Sequence, residues 1–199
     1  MTFEWRVAVR INKKTALLIV DVQRDFCPGG ALAVPGGDEV VPVLNKYIDK
    51  FMAKGAMIFA TRDWHPLNHI SFKSQGGMWP PHCVQNTKGA DFHPLLHLPP
   101  NAVIISKATQ PNIEAYSGFE HTDLAKRLQQ AGIKTLLIGG LATDYCVKAT
   151  VLDALKYGFE VYLLVDAIRA VNVKPSDGQQ AIEEMRKAGV RQICFQDIE

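Results

Sequence analysis

The chain has 199 residues, of which 47% are hydrophobic and 21% charged, with a formal net charge of +2. That length suits one domain around a single core, and so small a charge does not mark a nucleic-acid partner. Apolar runs such as 16–20 and 136–138 fall far short of the roughly 20 residues that cross a bilayer, so no membrane partner is expected.

Residues 1–14 mix Glu4, Trp5, Arg6 and Arg10 with apolar neighbours and show neither the unbroken apolar stretch nor the cleavage site of a secretory leader. They read as an N-terminal extension that packs on the domain or on a neighbouring subunit, or stays disordered, ahead of one domain over 15–199. Six apolar runs of strand length follow, at 15–20, 56–61, 102–106, 135–138, 160–165 and 191–195. Continuous rather than alternating hydrophobicity is the habit of strands buried on both faces, as in parallel sheets covered by helices, and the pattern is α/β. Helices are expected over 38–54, 122–131, 144–157 and 176–188, closed by Gly55, Gly132, Gly158 and Gly189 as left-handed caps. Between Asp63 and Pro100 the pattern breaks into a stretch rich in Pro, Gly, His and Trp, too long for an ordinary connection and therefore read as functional. The four cysteines are widely spaced in a chain that needs no staples, and they read as free thiols of a cytoplasmic protein.

Parallel sheets bind ligands beyond the carboxyl ends of their strands. Asp21 follows the first run, Asp63 the second, Lys107 the third and the segment 139–146 the fourth, so all would face one crevice. Thr143 looks like an N-cap that puts Cys146 in the first turn of the next helix, where the dipole, with Lys107 as a nearby cation, would favour a thiolate. Taken alone, Cys146 is a small buried hydrophobe, Asp21 a turn cap and Lys107 a solvated lysine. Together they offer a nucleophile, a base able to take its proton and return it to a leaving amine, and a cation. The Gly139–Ala142 segment would form a turn exposing backbone N–H groups, with Ala142 and Cys146 as donors to an oxyanion.

A second constellation lies in the long stretch. In extended chain, residues two apart point the same way, so Asp63 and His65 can converge on one ion and His82 can close the set. Such ligands suit zinc, iron or manganese, although hydrogen-bonding loop histidines are the plainer reading. His69 stays ambiguous between fourth ligand, support for a ligand, and loop residue. His93, His97 and His121 read as structural or exposed. Phe26 and Trp79 are core or loop anchors, or else walls that sandwich a flat ring by stacking.

The motifs that carry a resemblance are the segments 18–26 (LIVDVQRDF), 61–66 (TRDWHP), 68–72 (NHISF), 79–83 (WPPHC), 115–119 (AYSGF) and 142–146 (ATDYC). On them the chain resembles the nicotinamidase branch of the isochorismatase-like cysteine hydrolases, from Ala16 almost to the C-terminus. The resemblance implies a doubly wound, mainly parallel six-stranded sheet with helices on both faces. It also implies an Asp21–Lys107–Cys146 triad, a metal on Asp63, His65 and His82, and a cis peptide at Leu141–Ala142 that aims the Ala142 N–H at the oxyanion. Some relatives bring the counterpart of His69 to the metal and others do not, while isochorismatases proper generally lack the metal set. The implied activity is hydrolysis of nicotinamide, and of pyrazinamide, to the acid and ammonia through a Cys146 thioester, in NAD salvage. One divalent ion is expected, zinc ahead of iron or manganese, with an aromatic amide as substrate and a homo-oligomer as an open option. The rivals are an amidase for another aromatic amide or a carbamoyl compound, and a non-catalytic metal-binding domain.

Overall fold

The computed structural model describes residues 8–199. Six strands among them form one all-parallel sheet: β1 (Thr15–Val20), β2 (Met57–Asp63), β3 (Val103–Lys107), β4 (Thr135–Leu141), β5 (Glu160–Arg169) and β6 (Arg191–Ile193), in the order β3-β2-β1-β4-β5-β6. The chain begins at the centre, winds outward through β2 and β3, then returns to build the other half, which is the doubly wound arrangement.

Helix α1 (Val40–Ala53) covers one face, while α2 (Leu124–Gln130), α3 (Lys148–Lys156) and α4 (Asp177–Lys187) cover the other. Strand β1 shows why its run is apolar without a break. Leu17 and Ile19 join Leu44, Ile48 and Phe51 of α1, whereas Ala16, Leu18 and Val20 join Leu124, Leu128, Val151 and Met185. Both faces of the strand are therefore dry, and each Leu, Ile or Val side chain buried there contributes on the order of 1.5–3 kcal/mol.

The elements differ from the expected ones mainly at their ends. β2 runs on through Arg62 and Asp63 because they pair with Ser106 and Lys107 of β3. The segment 139–141 is not a turn but the end of β4, reached through a register shift against β5 between Ile138 and Gly140. Gly140 has φ +124, and a Cβ there would lie 2.1 Å from the Val20 carbonyl oxygen, so only glycine lets the two central strands come this close. The last run stops at Ile193, since the Cys194 N–H turns to the Asp197 carboxylate and a short 3-10 turn follows. The expected third helix opens as a π-helical turn, Thr143–Val147, before α3 begins, and the four closing glycines are all left-handed as expected.

Residues 1–7 of the extension lie outside the described residues. Beyond them, Val9 pairs with Ile198, and Val9 and Ile11 are buried in the core on the α1 side. No helix among the described residues is long and apolar enough to cross a membrane.

Candidate active site and metal centre

Asp63 and Lys107 are register partners at the ends of β2 and β3, so the pairing of two edge-side strands sets a carboxylate beside an ammonium. Lys107 is 1% exposed and donates to Asp63 Oδ1, to the Ala115 carbonyl at 3.1 Å and to Cys146 Sγ at 3.4 Å. Three partners exhaust its three protons. Asp21 Oδ2 forms an ion pair with the same nitrogen at 3.0 Å and has no other partner among the described residues, while Oδ1 accepts from Thr61 Oγ1 at 2.6 Å. Asp21 stands just beyond β1 with φ +49, a left-handed conformation that aspartate tolerates better than most residues. Asp21, Asp63 and Cys146 bring their reactive atoms within 4.8 Å of one another, so the sequence-predicted triad is assembled in space.

Cys146 departs from expectation in two ways. Thr143 is not the N-cap: Ala142 takes that position in extended conformation, and its carbonyl accepts from Tyr145 and Val147 N–H. Nor does the thiol rest as a thiolate. Burial pushes it well above the usual thiol range, and Lys107 pulls it back only in part against the added charges of Asp21 and Asp63. Burial likewise raises Asp21, against the pull of Lys107, which makes it a stronger base than a free aspartate. For Asp63, burial also works upward, but Lys107, His65 and His82 outweigh it and keep the carboxylate ionised. Lys107 is held cationic by Asp21 and Asp63 despite its burial. The Leu141–Ala142 peptide is cis.

Asp63, His65 and His82 are all buried, and one ligand atom from each falls within 4.8 Å of the others. His65 gives Nδ1–H to the His82 carbonyl at 3.1 Å, and His82 gives its own to the Pro80 carbonyl at 2.8 Å. A carbonyl can only accept, so each ring presents a bare Nε2, the usual preparation of a histidine ligand. Burial lowers the His65 pKa to about 4 and also lowers that of His82, which keeps both lone pairs free of protons at neutral pH. One carboxylate and two imidazoles suit a divalent metal, and the donor set fits one. The cluster of Asp21, Asp63 and Cys146 suits a cation less well because the Lys107 ammonium already occupies it.

His69 is fully buried but differs from these two. Its Nε2 donates to the Ile113 carbonyl at 3.0 Å and its Nδ1 meets Ser71 Oγ at 2.7 Å, while its ring lies 4.3 Å from that of His65. It groups with His65 and exposed Glu114 rather than with Asp63 and His82.

A small pocket, continuous with solvent, opens over Cys146. Phe26, Trp79, Ala142, Asp63 and His82 line it, joined by Leu32, Val34, Tyr116, Tyr145 and Val171, for which the sequence offered no role. Trp79 Nε1–H donates to Tyr116 Oη at 3.0 Å, and the Trp79 and Tyr145 rings meet edge-on at 5.2 Å. Two further supports were missed. Gln23 pairs its carboxamide with both the N–H and the carbonyl of Asp63, each at 2.8 Å, and Asp144 accepts from the Val171 and Asn172 N–H groups. Neither contact leaves a local pattern in sequence, since each joins segments far apart in the chain.

An all-parallel doubly wound sheet with a buried carboxylate–ammonium–thiol cluster at its carboxyl edge defines the class, and the chain belongs to the isochorismatase family, whose Isochorismatase domain matches residues 15–197. It is 44% identical to the nicotinamidase of Escherichia coli (strain K12), over 92% of this chain and 96% of that protein. The crystal structure of the pyrazinamidase of Pyrococcus horikoshii in complex with zinc is 60% identical, with a TM-score of 0.88 over 92% of this chain and 99% of that one. The structure of PnC1 from L. infantum in complex with nicotinate is 35% identical, with a TM-score of 0.90 over 96% and 98% of the two chains.

Proposed function

We propose that this chain hydrolyses the carboxamide of nicotinamide to nicotinate and ammonia, and accepts pyrazinamide, with Asp21, Lys107 and Cys146 as the reacting groups. The observation that carries the reading is the geometry of the cluster: Asp21 Oδ2, with no hydrogen-bond partner among the described residues, lies 3.0 Å from the same Lys107 nitrogen that donates to Cys146 Sγ at 3.4 Å. Its support from relatives is the shared length and identity with nicotinamidases and a pyrazinamidase.

In this mechanism Asp21 takes the thiol proton, Lys107 compensates the charge on sulfur until the C–S bond forms, and attack of Cys146 Sγ on the amide carbon moves that charge to the carbonyl oxygen. The Ala142 and Cys146 N–H groups hold the oxyanion. Asp21 returns the proton to the departing nitrogen, ammonia leaves, and a thioester remains. A water deprotonated by Asp21 hydrolyses it, releasing the acid and restoring the thiol. Phe26 and Trp79 flank the aromatic ring. Asp63, His65 and His82 would hold the divalent ion, zinc on this reading, which supplies a Lewis acid for the ring nitrogen and for nearby water. His69 supports His65 from behind. The domain spans 15–199, and its four unpaired cysteines suit a reducing cytoplasm; the product acid re-enters NAD salvage.

The test is ammonia release from nicotinamide by the purified protein, before and after chelation and zinc restoration, beside Cys146→Ala. Release that needs zinc and disappears in the variant is expected. A folded, zinc-loaded protein that releases nothing from nicotinamide or pyrazinamide overturns the substrate.

A further inference from the structure

Asp25 takes no part in the mechanism above, yet it joins the two walls of the site. Its Oδ2 accepts the Cys83 N–H at 2.7 Å and its Oδ1 accepts the Ala31 N–H at 3.1 Å, while its backbone carbonyl accepts from Leu32 at 2.9 Å. Leu32 and neighbouring Phe26 line the pocket. On the other side, Cys83 follows His82 and has φ +46, a conformation that a non-glycine residue holds only when its surroundings impose it. The peptides on either side of that residue also grip His65: the His82 carbonyl accepts its Nδ1–H, and the Cys83 carbonyl accepts its backbone N–H at 3.0 Å. The carboxylate is seated so tightly that a Cβ on Gly89 would fall 2.2 Å from Oδ2.

We propose that Asp25 is a positioning residue, a clamp that holds the His82–Cys83 peptide, and through it both imidazole ligands, against the Phe26–Leu32 wall of the pocket. This rests on the assignment of Asp63, His65 and His82 as the metal set. One carboxylate serves two N–H donors from different loops, which an asparagine cannot do, because its amide nitrogen would face one of them.

The experiment compares the full-length wild type with Asp25→Asn, Gly89→Ala and His82→Ala, measuring zinc affinity by competition with a chromogenic chelator and kinetics at saturating zinc. Gly89→Ala keeps the charge and displaces the carboxylate, so an effect common to both variants belongs to the clamp and not to lost electrostatic attraction. Both are expected to weaken zinc binding about 10-fold or more, the usual size for groups that orient ligands, and to raise KM with kcat little changed. Zinc affinity unchanged in Gly89→Ala overturns the clamp, whether Asp25→Asn binds normally, binds weakly or fails to fold. Zinc affinity unchanged in His82→Ala sinks the metal assignment itself and takes the clamp with it.

Discussion

Lys107 Nζ stands 3.4 Å from Cys146 Sγ and donates to it, inside a cluster that is closed to solvent on every side but the pocket. The ammonium is shared between two buried carboxylates, Asp21 and Asp63. Lys107→Met should therefore strand both charges, destabilise the fold by about 3–5 kcal/mol, the usual cost of breaking a buried pair, and remove activity. Urea unfolding and steady-state kinetics check the two halves separately, and a Lys107→Met protein as stable as wild type contradicts the account.

Asp21→Asn keeps the shape of the side chain and removes its capacity to take the thiol proton. The rate should fall by about 10²–10⁴, the range of general acid–base contributions, with zinc affinity retained. A fall of less than tenfold would mean that another group takes the proton.

His65 titrates at about 4 in the folded protein because burial disfavours its charged ring, against about 6.5 in an unfolded chain. Between those values the unfolded state binds a proton that the folded state refuses, so this contribution to stability is complete above pH 6.5 and is lost as the pH falls toward 4, by roughly 3 kcal/mol in all. His82 acts in the same direction, and Asp21, raised by burial, in the opposite one. The comparison that isolates His65 is denaturant unfolding of chelator-treated wild type and His65→Gln at pH 7.5, 6 and 5. The variant should show the shallower decline; parallel curves would rule the effect out.

Trp79 and Phe26 line the pocket that opens over Cys146. Truncating either to alanine removes stacking worth about 0.5–1.5 kcal/mol beyond area burial, so KM for nicotinamide should rise up to about tenfold. If instead kcat falls and KM is unchanged, these rings serve the chemical step and not the ground-state ring.

Much of this site is legible in sequence because strand ends are. Asp21, Asp63 and Lys107 each close an unbroken apolar run, and the parallel order gathers those ends on one edge. The spacing of Asp63 and His65 is likewise local information. What the sequence conceals is of two kinds. Gly139 and Gly140 resemble a turn, yet they complete β4, and at Gly140 the close approach of β1 admits nothing larger. Thr61 on Asp21, Gln23 on Asp63 and Asp144 on Val171 depend on tertiary contacts that periodicity does not encode. The protonation of Cys146 follows the same logic: helix position and a nearby lysine are visible in sequence, whereas the depth of burial that outweighs them is not.

The carbonyl tethers on His65 and His82 hold both rings through their Nδ1 atoms and leave both Nε2 atoms for an ion. Because these tethers belong to the fold of a large core, loading is expected to be a binding step and not a folding event of the kind seen in small zinc domains. Removing the ion should leave a native, cooperatively melting protein, and added zinc should raise its midpoint by mass action, gradually with free concentration. Such a cage can be emptied and refilled with different ions in one preparation, so the preference among metals becomes a direct equilibrium measurement.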